Sequence, residues 1–218
     1  MNTHQQSIVT RVAKYVRQRF LAEGTGHDWY HIERVFKLSR RIAKQEGGDL
    51  YVVSLGSLLH DIADSKFHHG DFTIGGKITR RLLKRFGVDA HAVEKVAYIV
   101  DHISFKKTGR KKNMQTLEGK IVQDADRLDA LGAIGIARAF AYGGFRRRPI
   151  FNPAVQPNKK MTIVQAKAGE STIHHFYEKV LHLQKLMNTK TGRRLAKQGN
   201  AFIEIYLKQF FREWNGRG

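Results

Sequence analysis

Between Asp49 and Asp61 the chain runs Leu50-Tyr-Val-Val-Ser-Leu-Gly-Ser-Leu-Leu-His60 without a Lys, Arg, Asp or Glu. Leu50, Val52, Val53, Leu55, Leu58, Leu59 and Ile62 cover nearly all sides of a 3.6-residue helix, and Asp49 stands where its side chain can cap the first turn. A helix that is apolar all round is stable in water only when other elements cover it, so this stretch predicts a central buried helix around which the chain must wrap. The polar pair His60-Asp61 at its end therefore emerges from the core.

The cover is supplied by helical patterns on both sides. Ile8, Val9, Val12, Tyr15, Val16 and Phe20 recur at three- and four-residue intervals until Gly24 and Gly26 stop them. A second helix is expected from about Asp28, with Ile32, Val35, Phe36, Leu38 and Ile42, closed by Gly47-Gly48. Phe72 to Phe86 reads as a helix ending at Gly87, and Asp89 as the cap of another with Val93, Val96, Ile99 and Val100. Leu117 to Gly143 reads as helical, bent near Gly132 and Gly135. Ser171 and Thr191 read as caps of two final helices, one with Phe176, Val180, Leu183 and Leu186, the other with Leu195, Phe202, Ile205, Tyr206 and Phe210. With no strand alternation and no repeat, the expectation is a single all-α domain over residues 1–218, a helical bundle with one long irregular basic loop at about 144–170. That loop holds all 3 prolines and Arg146-Arg147-Arg148.

An apolar content of 41% in 218 residues is enough for a substantial core. Absence of cysteine excludes disulfide frameworks, thiolate metal sites and cysteine nucleophiles, and fits a reducing cytoplasm. No run approaches the roughly 20 apolar residues of a membrane span, and the first residues contain no apolar signal core, so the expected location is cytoplasmic with no membrane partner. Lys plus Arg number 39 against 19 Asp plus Glu, a formal charge of +20. Such a balance favours phosphorylated partners and a non-specific attraction for nucleic acid.

Read as His31 … His60-Asp61 … Asp126, the sequence supplies two imidazoles and two carboxylates, a set suited to one divalent cation with positions left for water and substrate. That points to hydrolytic metal chemistry. His27 competes with His31 for the first position, and Asp124 and Asp129 compete with Asp126 for the last. The oxygen- and nitrogen-rich set suits Mn²⁺ best, with Mg²⁺, Co²⁺, Ni²⁺ and Fe²⁺ also compatible. Two carboxylates cancel the ion's formal charge, so cationic side chains must hold a polyphosphate. Lys66 after the His-Asp pair, Arg127 beside Asp126, and Lys106 after His102 are the candidates, with His27 and His102 as further substrate contacts. Asp64 lies four residues after His60 and three after Asp61, near the metal-facing side if the helix continues that far, where it can hold or deprotonate the attacking water.

The segments Ile32-Glu33-Arg34-Val35, Leu58-Leu59-His60-Asp61-Ile62 and Ala125-Asp126-Arg127-Leu128-Asp129-Ala130 resemble, in order and flanking residues, the HD-domain metal-dependent phosphohydrolase superfamily. The wider match, from Gly26-His-Asp-Trp-Tyr-His31 to Ser171-Thr-Ile-His-His-Phe-Tyr177, is similar to the bacterial branch that includes nucleoside triphosphate pyrophosphohydrolases. The pattern His-x-x-Arg-Val selects His31, Ala-Asp-Arg-Leu selects Asp126, and an acidic catalytic residue in a related branch corresponds to Asp64. The resemblance implies a nucleoside or deoxynucleoside triphosphate substrate, converted to monophosphate and pyrophosphate. A phosphodiesterase acting on nucleic acid or cyclic nucleotides is the rival enzyme, supported chiefly by charge. A basic binding module with a vestigial site is disfavoured because all four ligand positions are intact.

Overall fold

A computed structural model describes residues 1–21, 28–62, 74–103, 114–155 and 171–217. Among the described residues there is no strand. The helices are α1 (Thr3–Phe20), α2 (Trp29–Glu46), α3 (Leu50–Leu59), α4 (Ile74–Arg85), α5 (Ala90–His102), α6 (Leu117–Leu128), α7 (Gly132–Phe145), α8 (Thr172–Glu178) and α9 (Lys190–Trp214), with a 3₁₀ segment at Val180–Leu186. The all-α expectation holds. The chain divides into two compact units, residues 1–125 and 126–218. No helix among the described residues is long and apolar enough to cross a membrane.

In the first unit α3 is the central element, with every residue from Tyr51 to Leu59 buried. It packs against α1, α2 and α5, and α4 packs on α5. Gly56 permits the close approach, since a Cβ there would meet Ile99 of α5 at 3.2 Å and Val122 of α6 at 3.5 Å. The expected caps form at Asp49, whose carboxylate accepts from the Tyr51 and Val52 N–H groups, and at Asp89, which accepts from Ala92 N–H.

The second unit departs from the expected pattern in four places. Leu117 to Gly143 is two helices, not one bent helix: α6 stops at Leu128 and α7 begins at Gly132, whose φ of +65° a continuous right-handed helix cannot contain. α7 then runs to Phe145, so helix extends slightly into the expected irregular loop; residues 156–170 of that loop lie outside the described residues. Val180, Leu183 and Leu186 recur at strict three-residue spacing, and they sit on a 3₁₀ segment distinct from α8. The last helix is capped by Thr189, whose hydroxyl accepts from Gly192 N–H at 2.9 Å, and Thr191 is buried inside it.

The buried face of α9 also differs from the expected one. Gly192, Ala196, Asn200, Ile203 and Leu207 are buried, whereas Phe202 and Ile205 are 49% and 67% exposed. A polar anchor fixes this rotation: Asn200 Nδ2 donates to Leu181 O at 2.9 Å and to Gln184 Oε1 at 3.0 Å. Small residues on the same line let neighbouring elements pack close, while Ile173 and Phe176 complete the core. Ser171 caps α8 as expected, accepting from His174 N–H.

One histidine of α8 makes this unit sensitive to acid. Burial, and then the charges of Lys179 and Arg148, push the His175 pKa from 6.5 down to about 4. The unfolded chain therefore binds more protons than the folded one between those values. The contribution is fully present above about pH 6.5 and is lost as pH falls towards 4. Denaturant unfolding of the wild type and His175→Gln should show the difference between the two proteins changing from about pH 7.5 to about pH 5 in favour of the variant. An unchanged difference would show that His175 takes no part.

Candidate metal centre

Three side chains of the first unit converge on one point. Asp28, the N-cap of α2, accepts from His31 N–H at 2.8 Å and thereby starts the helix with His31 in its first turn. His60 follows the last residue of α3, and Ile62 N–H bonds back to Leu59 O at 3.0 Å in a tight turn. On a regular helix His60 and Asp61 would point about 100° apart; their side-chain ends nevertheless meet, with His60 Nε2 3.4 Å from Asp61 Oδ2. His31 Nε2 lies 3.2 Å from His60 Nε2, and Asp61 Oδ2 lies 3.5 Å from the first and 3.4 Å from the second.

The chemistry of this set fits a cation. His60 Nδ1 is 2.8 Å from Ser57 O, and since a carbonyl only accepts, Nδ1 carries a proton and Nε2 is the ring atom turned towards His31 Nε2 and available to a cation. Both imidazoles are almost fully buried, at 1% and 5% exposure, with the Asp61 carboxylate beside them. Donors bound to one ion at about 2.1 Å stand about 3.0 to 3.4 Å apart at octahedral or tetrahedral angles. The observed spacings of 3.2, 3.4 and 3.5 Å lie within about 0.1 Å of that range.

Asp126 is one residue past the division between the units but still on α6, the helix that begins at Leu117 in the first unit. A carboxylate oxygen of Asp126 and one nitrogen each of His31 and His60 lie within 4.8 Å of one another. Its competitors are placed differently. Asp124 is fully buried, and Asp129 is buried in an ion pair with Arg138 at 2.7 Å.

Of the expected substrate contacts, His102 ends α5, with Nδ1 2.8 Å from Tyr98 O and its ring stacked on Tyr98 at 4.1 Å. The proton thus sits on Nδ1, leaving the lone pair on Nε2. Arg127 donates from Nη1 to the carbonyl of Leu186, a structural contact that sequence reasoning did not foresee. His27, Asp64, Lys66 and Lys106 lie outside the described residues. Because α3 ends at Leu59, the helical spacing used to bring Asp64 towards the site does not apply. Ser57 and Tyr98 were also missed, because they act through backbone carbonyls that every residue type possesses.

The chain resembles known proteins over nearly its whole length. The HD domain pattern matches residues 28–131. The uncharacterized protein YpgQ of Bacillus subtilis is 32% identical over 207 residues, covering 94% of this chain and 93% of YpgQ. The structure of YpgQ in complex with ADP superposes with a TM-score of 0.75 over 96% of this chain and 100% of that one. An HD-superfamily hydrolase from Bacillus thuringiensis is 36% identical, with a TM-score of 0.78 and coverage of 97% of this chain and 98% of its own. A Lactobacillus plantarum protein is 38% identical, with a TM-score of 0.78 over 99% of this chain and 100% of that one. Sequence and fold together show that the chain belongs to the HD domain family, among the HD-superfamily hydrolases.

Proposed function

We propose that this protein is a divalent-metal-dependent phosphohydrolase that converts nucleoside or deoxynucleoside triphosphates to the monophosphate and pyrophosphate. The observation that carries the reading is the convergence of His31 Nε2, His60 Nε2 and Asp61 Oδ2 within 3.5 Å of one another. His31, His60, Asp61 and Asp126 hold the ion, with Mn²⁺ preferred over Mg²⁺, Co²⁺, Ni²⁺ and Fe²⁺ for the nitrogen- and oxygen-rich set. When bound, such an ion supplies Lewis-acid polarisation of water and of a phosphoryl oxygen. A nucleotide substrate is supported by the ADP complex of YpgQ.

The protein's own groups do the remaining work. Ser57 O fixes the His60 tautomer, and the Asp28 cap holds the turn that carries His31. Asp64 takes the proton of the attacking water as its oxygen bonds to the α-phosphorus, and the bond to the bridging oxygen breaks to release pyrophosphate. Lys66, Lys106 and Arg127 balance the phosphate charge, with His27 and His102 as further contacts to substrate.

Product analysis tests the reaction. With Mn²⁺, Mg²⁺ or Co²⁺, purified protein is expected to release pyrophosphate and monophosphate from triphosphates. Raising salt from about 50 to about 200 mM should raise KM only modestly, because few counterions are displaced, while retention of long DNA or RNA collapses. Cleavage of oligonucleotides or cyclic dinucleotides with triphosphates untouched would overturn the proposal in favour of a phosphodiesterase. Orthophosphate as the first product would overturn the pyrophosphohydrolase assignment alone.

A further inference from the structure

The second unit carries 17 of the 39 Lys and Arg residues but only 6 of the 19 Asp and Glu residues. Part of that charge lies beside exposed aromatic rings at the end of α7. Tyr142 and Phe145 are 42% and 65% exposed with ring centroids 6.5 Å apart, and Arg146 and Arg147 follow on the surface. Ring contacts fix the segment beyond them: Phe151 lies 5.3 Å from Phe211 and 5.0 Å from Trp214. The arginines are thus held within a few residues of the last turns of α9, where Lys208 and Arg212 are exposed. Glu213, the acid of those turns, accepts a hydrogen bond from Gln209 at 2.6 Å.

The backbone supplies a separate reason to attend to Arg147. The N–H groups of Arg146, Arg147 and Arg148 close α7 on the carbonyls of Tyr142, Gly144 and Gly143 at 3.0, 2.9 and 2.8 Å. This closure sets Arg147 at φ +53°, the only positive φ among the described non-glycine residues. Glycine is the usual occupant of that helix-ending position because it carries no Cβ to clash. Arginine there keeps a cation beside the exposed rings at a conformational cost that glycine would avoid.

We propose that this surface binds single-stranded nucleic acid, with Tyr142 and Phe145 as stacking platforms for bases and Arg146, Arg147 and Arg212 on the backbone phosphates. Rings interleaved with guanidinium groups suit unpaired bases, whose faces are open, and a duplex withholds those faces. A lipid surface is disfavoured because Gln198, Glu204, Gln209 and Glu213 share the outward side of α9 with Ile205, leaving no continuous apolar face to insert. The surface acts independently of the metal centre.

Fluorescence anisotropy with labelled oligo-dT, oligo-U and a duplex of equal length, alongside sedimentation with vesicles containing phosphatidylserine, provides the test. Phe145→Ala is expected to weaken single-strand binding about ten-fold. Arg147→Gly should weaken it too and flatten the slope of log Kd against log salt by about 0.7, the value of one lost phosphate contact on a single strand. The same variant should unfold at an equal or higher temperature than the wild type, which separates loss of a contact from loss of fold. The proposal fails if both variants bind as the wild type does, if the duplex or the vesicles bind more tightly than the single strands, or if triphosphate hydrolysis falls in parallel with binding.

Discussion

His60→Ala is expected to leave the protein folded but without its ion and without hydrolytic activity. The side chain supplies one of two buried imidazole nitrogens 3.2 Å apart, and its removal leaves His31 and Asp61 facing a gap that water fills without restoring the ligand. Loss of an outer-shell partner costs roughly 10- to 100-fold in metal affinity or activity, and loss of the ligand itself should exceed that range. Elemental analysis of the purified variant, paired with triphosphate hydrolysis, checks both parts. His31→Ala, Asp61→Ala and Asp126→Ala should behave alike, whereas His27→Ala should retain metal. Normal metal content in His31→Ala together with none in His27→Ala would reverse the assignment between the two histidines.

Asp64→Asn is expected to keep the fold and most of the metal while reducing turnover by about 10²-fold or more, the scale of a lost acid–base group. Asparagine preserves size and hydrogen bonding but cannot take a proton from water at neutral pH, so kcat should fall more than KM changes. Turnover near the wild-type level would remove Asp64 from the mechanism. A large loss of metal would make it a ligand or a support for one. The helix that ends at Leu59 gives this test particular weight, because resemblance, and not helical spacing, now carries the role.

Much of the fold was legible because it is decided locally. Asp49, Asp89 and Ser171 cap the helices expected of them, since a short polar side chain before an apolar run meets only its own next few N–H groups. The central burial of α3 followed from the lack of any polar face to turn outward. α9 was not legible in the same way. Its apolar residues occupy several faces, and the choice among them was made by Asn200 bonding to the 3₁₀ segment and by small residues where other elements pass close. Hydrophobicity counts Ile205 as core, and packing leaves it exposed.

The residues proposed for the metal site were legible through resemblance, since the flanking patterns choose His31 over His27 and Asp126 over Asp124 and Asp129, alternatives that residue type alone left open. Sequence also determined that His60 and Asp61 would stand at the edge of the core, at the end of a helix with no other polar residue able to leave it. Only the tertiary structure decided that the ends of the pair meet, 3.4 Å apart, and that His31 arrives 3.2 Å from His60. It alone set the proton on His60 Nδ1 through Ser57 O and paired Asp129 with Arg138. The physical reason is range: caps and periodicity act within a few residues, whereas a coordination site is built from distances between helices, which depend on how every side chain between them packs.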